Sequence, residues 1–284
     1  MSGLFQKLLD TYRYALAQGD SRTADWFFMD SFVPTAIIMG AYVVFIVIGL
    51  QVMKNRTPWK LRPVLVPYNL FLVVLSVYLC HQIFHSAIES KYNIICQGVE
   101  KTSHPRVFRM ASLMWWFHIS KILELMDTVF LILRKKNSQV TFLHCYHHFT
   151  MVCNTWLSVK YAPGGQNFFI ALLNSFVHVI MYSYYGLAAL GPHMQKHLWW
   201  KRHLTHLQLI QFFAMSAHIL SGVINDCGYP IWYGTMQLCY VISLIILFTN
   251  FYMKAYLQDY RKSAALANGQ IDKKSKQHLN GKID

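Results

Sequence analysis

The chain has 284 residues and a formal net charge of +14, and 55% of its residues are hydrophobic and 15% aromatic. A mean hydropathy of +0.28, together with several nearly charge-free windows of about 18 or more residues, excludes an ordinary soluble domain and predicts a polytopic membrane protein. The positive charge does not indicate nucleic acid binding, because the basic residues cluster in short loops between apolar segments and in the tail.

Seven segments are long and apolar enough to cross a bilayer as helices, so the sequence predicts an all-α fold with seven transmembrane helices. The predicted spans are residues 33–53, 64–84, 110–133, 140–159, 168–190, 206–224 and 231–253. Proline and glycine lie in the short connections between them, as expected of turns. We therefore expect a single membrane domain over residues 1–260, followed by a disordered, lysine-rich cytosolic tail over residues 261–284.

The basic residues also predict an orientation. The loops after spans 1, 3 and 5, with the tail, carry about twice as many Lys and Arg as the segments facing the other way, so they and the C-terminus should be cytosolic. The N-terminus should then lie on the opposite side. Of the six cysteines, Cys96 and Cys227 are the two that fall outside the spans on that side. Because that compartment is oxidising, we predict that they form a disulfide, with two free thiols as the alternative.

Span 3 carries three charged residues at three-residue spacing, Lys121, Glu124 and Asp127. Each charge at mid-membrane costs about 2.5–3.5 kcal/mol, so these side chains are expected to face the bundle interior or a cavity. We expect Glu124 and Asp127 to pair with Lys121 and to act as acceptors that orient nearby histidines.

Three histidines follow at the start of span 4, His144, His147 and His148, and their spacing places them on one face of a helix. Spans 5 and 6 add polar stripes at similar depth: Asn174, His178, Tyr182 and Tyr185, then Thr205, Gln208 and Gln211. A lone amide in a membrane helix is well explained by hydrogen bonding between helices. Hydrogen bonding between helices is a weaker explanation here, because four spans direct charged and imidazole groups to one zone. We therefore predict a functional site in the cytosolic half of the bundle.

Four motifs occur in order on successive spans. They are Lys121-x-x-Glu124-x-x-Asp127-Thr128, His144-x-x-His147-His148, Asn174-x-x-x-His178-x-x-Met181-Tyr182-x-Tyr184-Tyr185 and Thr205-x-x-Gln208-x-x-Gln211. With this set the chain resembles the very-long-chain fatty acid elongases, the membrane 3-oxoacyl-CoA synthases of the endoplasmic reticulum. The resemblance implies condensation of a long-chain acyl-CoA with malonyl-CoA, giving 3-oxoacyl-CoA, carbon dioxide and free CoA.

The same resemblance implies a setting for the protein. It places the chain in the endoplasmic reticulum membrane, among membrane lipid, with a lumenal N-terminus and a cytosolic C-terminus. The expected partners are the reductases and the dehydratase of the elongation cycle. The oligomeric state does not follow from the sequence, and a homo-oligomer stays open. No metal and no cofactor beyond the two CoA substrates is expected.

The residue types suggest a division of labour in this reaction. His147 is central on its stripe and is the expected nucleophile, taking the acyl group as an acyl-imidazole. Cys145 is an alternative carrier of the acyl group, because its residue type can form a thioester, but on a helix it points about 100° away from His144. His178 is expected to assist decarboxylation or stabilise the enolate, and His144 to donate a hydrogen bond to a thioester oxygen. His148 completes the predicted catalytic set.

The polyanionic CoA is expected at the cytosolic mouth of the bundle. The predicted substrate-binding residues, besides His144, are Lys121, Arg134, Lys136, Gln139, Tyr184, Lys201, Thr205 and Gln208. Asn174 and Gln211 are expected to support the site. The acyl tail is expected to run along an interior apolar tunnel toward the non-cytosolic side, where a closed end would limit its length. The preferred chain length and unsaturation do not follow from the sequence.

Two other classes share parts of the pattern. A membrane di-iron desaturase or hydroxylase also uses histidine clusters, but it needs more histidines than the four here and places them outside the membrane. A seven-span receptor fits the span count and orientation equally well, yet it has no need of histidines, acids and glutamines converging at the cytosolic mouth. Iron content separates the first class from a condensing enzyme, and release of carbon dioxide from malonyl-CoA separates the second.

Overall fold

The computed structural model describes residues 2–102 and 104–258, and these ranges contain helices but no β-strand, which confirms the all-α class. The α-helices are α1 (Ser2–Ala17), α2 (Val33–Lys54), α3 (Arg62–Glu89), α4 (Pro105–Leu123), α5 (Met126–Leu133), α6 (Phe142–Tyr161), α7 (Asn167–Ala189), α8 (Lys201–Ile224) and α9 (Ile231–Tyr252). Short 3-10 turns at Asn137–Gln139 and Pro192–His197, and a π-helical turn at Met253–Gln258, extend the connections. The predicted tail at 261–284 lies outside the described residues.

Five helical segments of the described chain are long and apolar enough to cross a membrane, and they match predicted spans 1, 2, 5, 6 and 7. They are Val33–Lys54, Arg62–Glu89, Asn167–Ala189, Lys201–Ile224 and Ile231–Leu257. Their outer faces suit lipid, since Ile37, Leu70 and Ile246 are 65%, 61% and 63% exposed. The chain is therefore a multi-pass, all-helical membrane protein. The predicted total of seven spans is not confirmed by these five.

The other two predicted spans differ from the five in composition and continuity. Predicted span 4 corresponds to α6, whose first half carries the three histidines. Predicted span 3 is interrupted between α4 and α5, although neither proline nor glycine lies there. Instead, Leu125 N donates to Ile122 O (3.2 Å) and Asp127 N donates to Glu124 O (3.1 Å), which tightens the backbone into i→i+3 turns. This break sets Glu124 between two helices.

The helices pack so that five of them enclose a common interior. α3 packs on α7 and α4, α8 on α9 and α7, α4 on α6, and α2 on α5 and α6. The largest core cluster lies among α3, α4, α6 and α7 and includes Leu79, Met110, Trp156 and Phe168, all nearly inaccessible to solvent. α4, α6, α7, α8 and α9 also surround the cavity described below.

One end of the bundle, which we call the disulfide end, is closed by connecting loops. Cys96 and Cys227 form the predicted disulfide there, with their Cα atoms 5.2 Å apart and a sequence separation of 131 residues. Val99 N also donates to Gly228 O across the same two loops (3.3 Å). In the chain-entropy account, a cross-link over so long a loop stabilises the fold by about 5 kcal/mol.

Residues 18–32 connect α1 to α2 and lie across the C-terminal end of α6. Asp20 N donates to Lys160 O (2.7 Å), and Trp156 Nε1 donates to Phe28 O (2.8 Å). The Asp20 carboxylate pairs with the Arg22 guanidinium at 2.8 and 2.6 Å. Burial acts to raise the pKa of Asp20, but the bonds to Arg22 outweigh it and hold that pKa below its usual value.

Candidate active site

The break between α4 and α5 places a buried ionic cluster inside the bundle. Lys121 Nζ donates to Glu124 Oε1 (2.7 Å) and to Asn174 Oδ1 on α7 (2.7 Å). His178, one turn further along α7, has its Nδ1 at 3.3 Å from Lys121 Nζ and at 3.2 Å from Glu124 Oε1. All four residues are at most 5% exposed. The charges of Lys121 and Glu124 are therefore paired and hydrogen-bonded out of contact with solvent.

The shared Nδ1 contact gives His178 two tautomers with different chemistry. If Nδ1 carries the proton and donates to Glu124, Nε2 is an acceptor and a base. If Lys121 donates to Nδ1, Nε2 carries the proton and is a hydrogen-bond donor. Glu124 and Lys121 together therefore control which role this imidazole plays.

A second pair of contacts joins α5 to its neighbours. Tyr182 OH donates to Asp127 Oδ2 at 2.8 Å, so Asp127 contacts a tyrosine rather than a histidine. Thr128 Oγ1 lies 2.8 Å from His144 Nε2 and 2.9 Å from Tyr42 OH on α2. Of the two acids expected to orient histidines, only Glu124 does so within the described chain, through its contact with His178. His144 is held by the hydroxyl group of Thr128 and not by an acid.

The three histidines of α6 lie on adjacent turns, as their spacing predicts. The helix begins at this point because the Thr141 side chain accepts a hydrogen bond from His144 N (3.2 Å), as an N-cap residue does. The ring centroids of His144 and His148 are 4.4 Å apart, and those of His147 and His148 are 5.4 Å apart. Within the described residues, neither His147 nor His148 has a hydrogen-bond partner for its ring. His148 is buried, whereas His147 borders a cavity.

A narrow cavity of about 50 Å³ starts beside His147 and follows α6 toward the disulfide end. Its wall on α6 extends from His147 to Ser158, which at 1.5 Å per residue is roughly 17 Å. The other wall residues are Met114, Phe117, Met151, Asn154, Thr155, Asn167, Ile170, Ala171, Asn174, Gln211, Phe212, Met215, Tyr233, Gln237, Tyr240, Val241 and Leu244. This volume holds a few water molecules rather than a long chain. The methionines in the wall are flexible enough to repack around a larger guest.

Three buried wall residues close the cavity at the disulfide end, namely Asn167, Tyr233 and Gln237, and the buried Tyr229 bonds to Gln237 behind them. We call these four residues the polar floor. Gln237 Nε2 donates to Asn167 Oδ1 (2.7 Å) and to Tyr233 OH (3.0 Å). Tyr229 OH donates to Gln237 Oε1 (2.8 Å), and Tyr233 OH donates to Asn154 O (2.9 Å). These bonds join α7, α9 and α6 directly beneath the disulfide-linked loops.

The predicted residues of the cytosolic mouth are more widely spread than the histidines. Lys136 and Gln139 are exposed and Arg134 is half-buried, all between α5 and α6. Lys201 is exposed at the start of α8. Its neighbour Arg202 instead donates to Tyr252 OH at 2.9 Å.

Three further predicted residues are partly or fully enclosed. Tyr184 is buried and packs edge-on against Trp200, with ring centroids 5.1 Å apart. Thr205 is buried on α8, and Gln208 Nε2 contacts Met181 Sδ at 3.6 Å. Of the two glutamines predicted on span 6, Gln211, one turn beyond Gln208, lines the cavity with His147 and Asn174.

Sequence reasoning missed several of these contacts. Thr128 belongs to the span 3 motif, four residues after Glu124, so its position on the same helix face was a usable signal. Tyr42 gave no comparable signal, because a single tyrosine in an apolar span is common. In the polar floor, the four-residue spacing of Tyr229, Tyr233 and Gln237 was also a usable signal, but Asn167 lies 70 residues before Gln237 and its contact could not be read from spacing.

Among the described residues, no group of three or more His, Cys, Asp or Glu side chains is arranged to hold a metal ion. The cluster itself supplies imidazoles, one ion pair and amide or hydroxyl donors. Such groups can attack a carbonyl, move a proton and stabilise an oxyanion.

Comparison with known proteins is consistent over nearly the whole chain. Residues 27–264 match the family described as "ELO: GNS1/SUR4 family". The chain is 42% identical over 288 residues to "Very long chain fatty acid elongase 4" of Mus musculus, covering 99% of this chain and 92% of that protein. It is 43% identical over 283 residues to the Homo sapiens protein of the same name, covering 96% and 90%. It is also 42% identical over 283 residues to "Very long chain fatty acid elongase 7" of Rattus norvegicus, covering 98% and 99%.

Proposed function

This chain belongs to the ELO (GNS1/SUR4) family, and from that premise we propose that it elongates very long chain fatty acids as a 3-oxoacyl-CoA synthase. Its substrates would be a long-chain acyl-CoA and malonyl-CoA. The observation that carries the chemistry is the meeting of Lys121, Glu124, Asn174 and His178 next to the cavity that His147 borders.

The reaction would proceed in two transfers. First, the His147 imidazole attacks the thioester carbonyl of the acyl-CoA, the C–S bond breaks, and the imidazole proton leaves with the CoA thiolate. Malonyl-CoA then loses carbon dioxide, and the resulting enolate carbon attacks the acyl-imidazole carbonyl. The C–N bond breaks, and the freed imidazole takes up one proton from solvent. His147 is the best candidate for the nucleophile because its ring is unbonded among the described residues and it borders the cavity.

His178 would control the second transfer. In the tautomer where Lys121 donates to Nδ1, the Nε2–H is available to the enolate oxygen as charge develops there. A donor held by a buried ion pair needs little reorganisation in the transition state. His144, held through Nε2 by Thr128, would donate from its other nitrogen to a thioester oxygen.

The CoA groups would lie at the mouth, between the exposed Lys136 and Lys201 and the half-buried Arg134. Phosphates suit this location because three basic side chains from two connections can reach them in water. The acyl tail would enter the cavity and displace wall methionines, and the polar floor would stop its end.

We also propose that α4 with α5, and α6, complete a seven-span domain. α6 has 20 residues, enough for about 30 Å of helix. The disulfide between Cys96 and Cys227 favours a lumenal location for its end of the bundle, since disulfides persist in oxidising compartments. That agrees with cytosolic basic loops in the endoplasmic reticulum membrane.

The proposal is tested with the full-length protein in lipid nanodiscs, given malonyl-CoA labelled at the free carboxyl and a panel of acyl-CoAs. We expect labelled carbon dioxide and 3-oxoacyl-CoA in equal amounts, with rates that depend on acyl length. Incubation with acyl-CoA alone should add one acyl mass to the peptide carrying His147. No carbon dioxide release, or stoichiometric iron in the active protein, would contradict the function. An acyl group found on Cys145 would contradict only the nucleophile assignment.

A further inference from the structure

The first helix, α1, has two distinct faces although it is too short to span a bilayer. It contains 16 residues, or about 24 Å of helix. At 100° per residue, all but one of its large apolar side chains fall within roughly 140° of arc. They are Leu4, Phe5, Leu8, Leu9, Tyr12 and Leu16. The opposite side of the helix carries Gln6, Lys7, Asp10 and Arg13, together with the exposed ring of Tyr14.

The C-terminal half of α1 is held against the disulfide end of the bundle. Tyr12 OH accepts from Phe32 N (3.0 Å), and Tyr161 OH donates to Ala15 O (3.1 Å). Leu16 packs on the main core cluster. Phe32 directly precedes α2, and Tyr161 is the last residue of α6. α1 is therefore fixed at the level where a membrane-spanning helix begins, which is the boundary of the bilayer.

The N-terminal half of the same apolar face is uncovered. Leu4, Phe5 and Leu8 are 68%, 68% and 61% exposed, and they continue the line of Tyr12 and Leu16 along the helix. Phe27 in the linker and Val33 at the start of α2 are exposed apolar side chains as well. Because Tyr12 holds α1 to the residue before α2, the uncovered face of α1 lies at the end of the bundle where this membrane-spanning helix begins.

We propose that α1 is an interfacial helix that inserts Leu4, Phe5 and Leu8 into the headgroup region of the leaflet at the disulfide end. Its polar face, with charges of both signs, would stay in water. An amphipathic helix with Phe and Leu opposite charged residues is the type that lies in this plane. A second copy of the chain fits less well, since three side chains offer much less area than the ~1,200 Å² that stable interfaces bury.

The test places a photoreactive amino acid at Leu8 in the full-length protein, with the same group at Gln6 as the matched control on the polar face. The protein is irradiated in nanodiscs that contain radiolabelled phosphatidylcholine. We expect several-fold more lipid attached at position 8 than at position 6. Equal labelling at the two positions would overturn the proposal, and so would cross-linking of position 8 to another protein chain.

A second measurement uses hydrogen exchange of α1 in the same nanodiscs. Replacing Leu4→Asn and Leu8→Asn together should speed amide exchange in the first half of α1 several-fold, because a short helix without apolar contacts is marginal in water. The control Lys7→Asn should leave exchange unchanged. Unchanged exchange in the Leu4→Asn/Leu8→Asn protein would mean that lipid does not hold the helix.

Discussion

The two polar clusters inside this bundle are built differently. The cluster beside the histidines contains an ion pair and a shared Nδ1 contact, and next to it the rings of His147 and His148 are unbonded among the described residues. The polar floor contains only uncharged groups, and the Gln237 amide is bonded at both its oxygen and its nitrogen.

This difference distinguishes the histidine rings, which are free to react with a substrate, from the polar floor, whose groups hold the helices together. An unbonded imidazole at a cavity can meet a substrate without first breaking a protein hydrogen bond. A fully bonded amide resists movement, because an unsatisfied buried partner costs about 1–3 kcal/mol. Substitutions at the histidines should therefore change catalysis more than stability, and substitutions at the polar floor should do the reverse or change specificity.

The largest expected effect is on catalysis. His147→Ala should abolish the acyl-enzyme and lower the condensation rate by about a thousandfold or more, since removing a covalent nucleophile leaves only the binding and charge-stabilising groups. Intact-protein mass spectrometry and product formation measure these two losses, and the melting temperature in detergent should change little. The control His85→Ala alters an exposed histidine on α3 and should keep full activity. Acyl transfer by His147→Ala would show that another group is the nucleophile.

Substitutions in the ion pair of Lys121 and Glu124 should lower both the stability and the activity of the protein. Lys121→Met leaves Glu124 as an uncompensated buried charge and should cost about 3–5 kcal/mol in the free energy of unfolding. Adding Glu124→Gln to it should recover much of that stability but not the activity, because His178 would still lack both of its charged partners. Thermal unfolding of the two single variants and the double variant measures the coupling free energy between Lys121 and Glu124. Additive losses would mean that the two residues do not act as a pair.

Substitutions in the polar floor should mainly change the stability of the protein and the acyl chain length of its products. Gln237→Ala removes one side chain from the floor and leaves the Oδ1 of Asn167 and the hydroxyl of Tyr229 without the partner they have in the folded protein, so we expect a loss of about 1–3 kcal/mol. The added space should also shift the products of the acyl-CoA panel toward longer chains. The control Tyr240→Phe keeps the bulk of another wall residue and should keep the product profile. An unchanged profile in Gln237→Ala would place the chain stop elsewhere.

The smallest expected effect is at the linker across the disulfide end. The folded-state pKa of Asp20 is below its unfolded value, so its stabilising contribution is present above the unfolded pKa and is lost as pH falls through the folded one. Arg22→Leu removes the partner that lowers this pKa and should move acid unfolding to higher pH. Circular dichroism during an acid titration measures the midpoint. The control Arg13→Leu alters an exposed arginine on α1, and an equal shift in that variant would argue against a specific role for the pair.

Much of the helix layout could be predicted from the sequence. The start of α2 at Val33 and the end of α8 at Ile224 agree with the predicted spans, because apolar runs and turn residues are local signals. The pairing of Cys96 with Cys227 also followed, since the predicted topology left these two on one oxidising side. The break after Leu123 did not follow, because no proline or glycine marks it.

The sequence by itself determined which residues share a helix face. Hydropathy and spacing along one helix were enough to place His144, His147 and His148 together. Only the tertiary structure decided which helices meet, and so which groups pair. It brought Lys121 to His178 across 57 residues and Gln237 to Asn167 across 70, and it left His147 facing the cavity. Such contacts depend on how side chains of separate helices interlock, which no local pattern encodes.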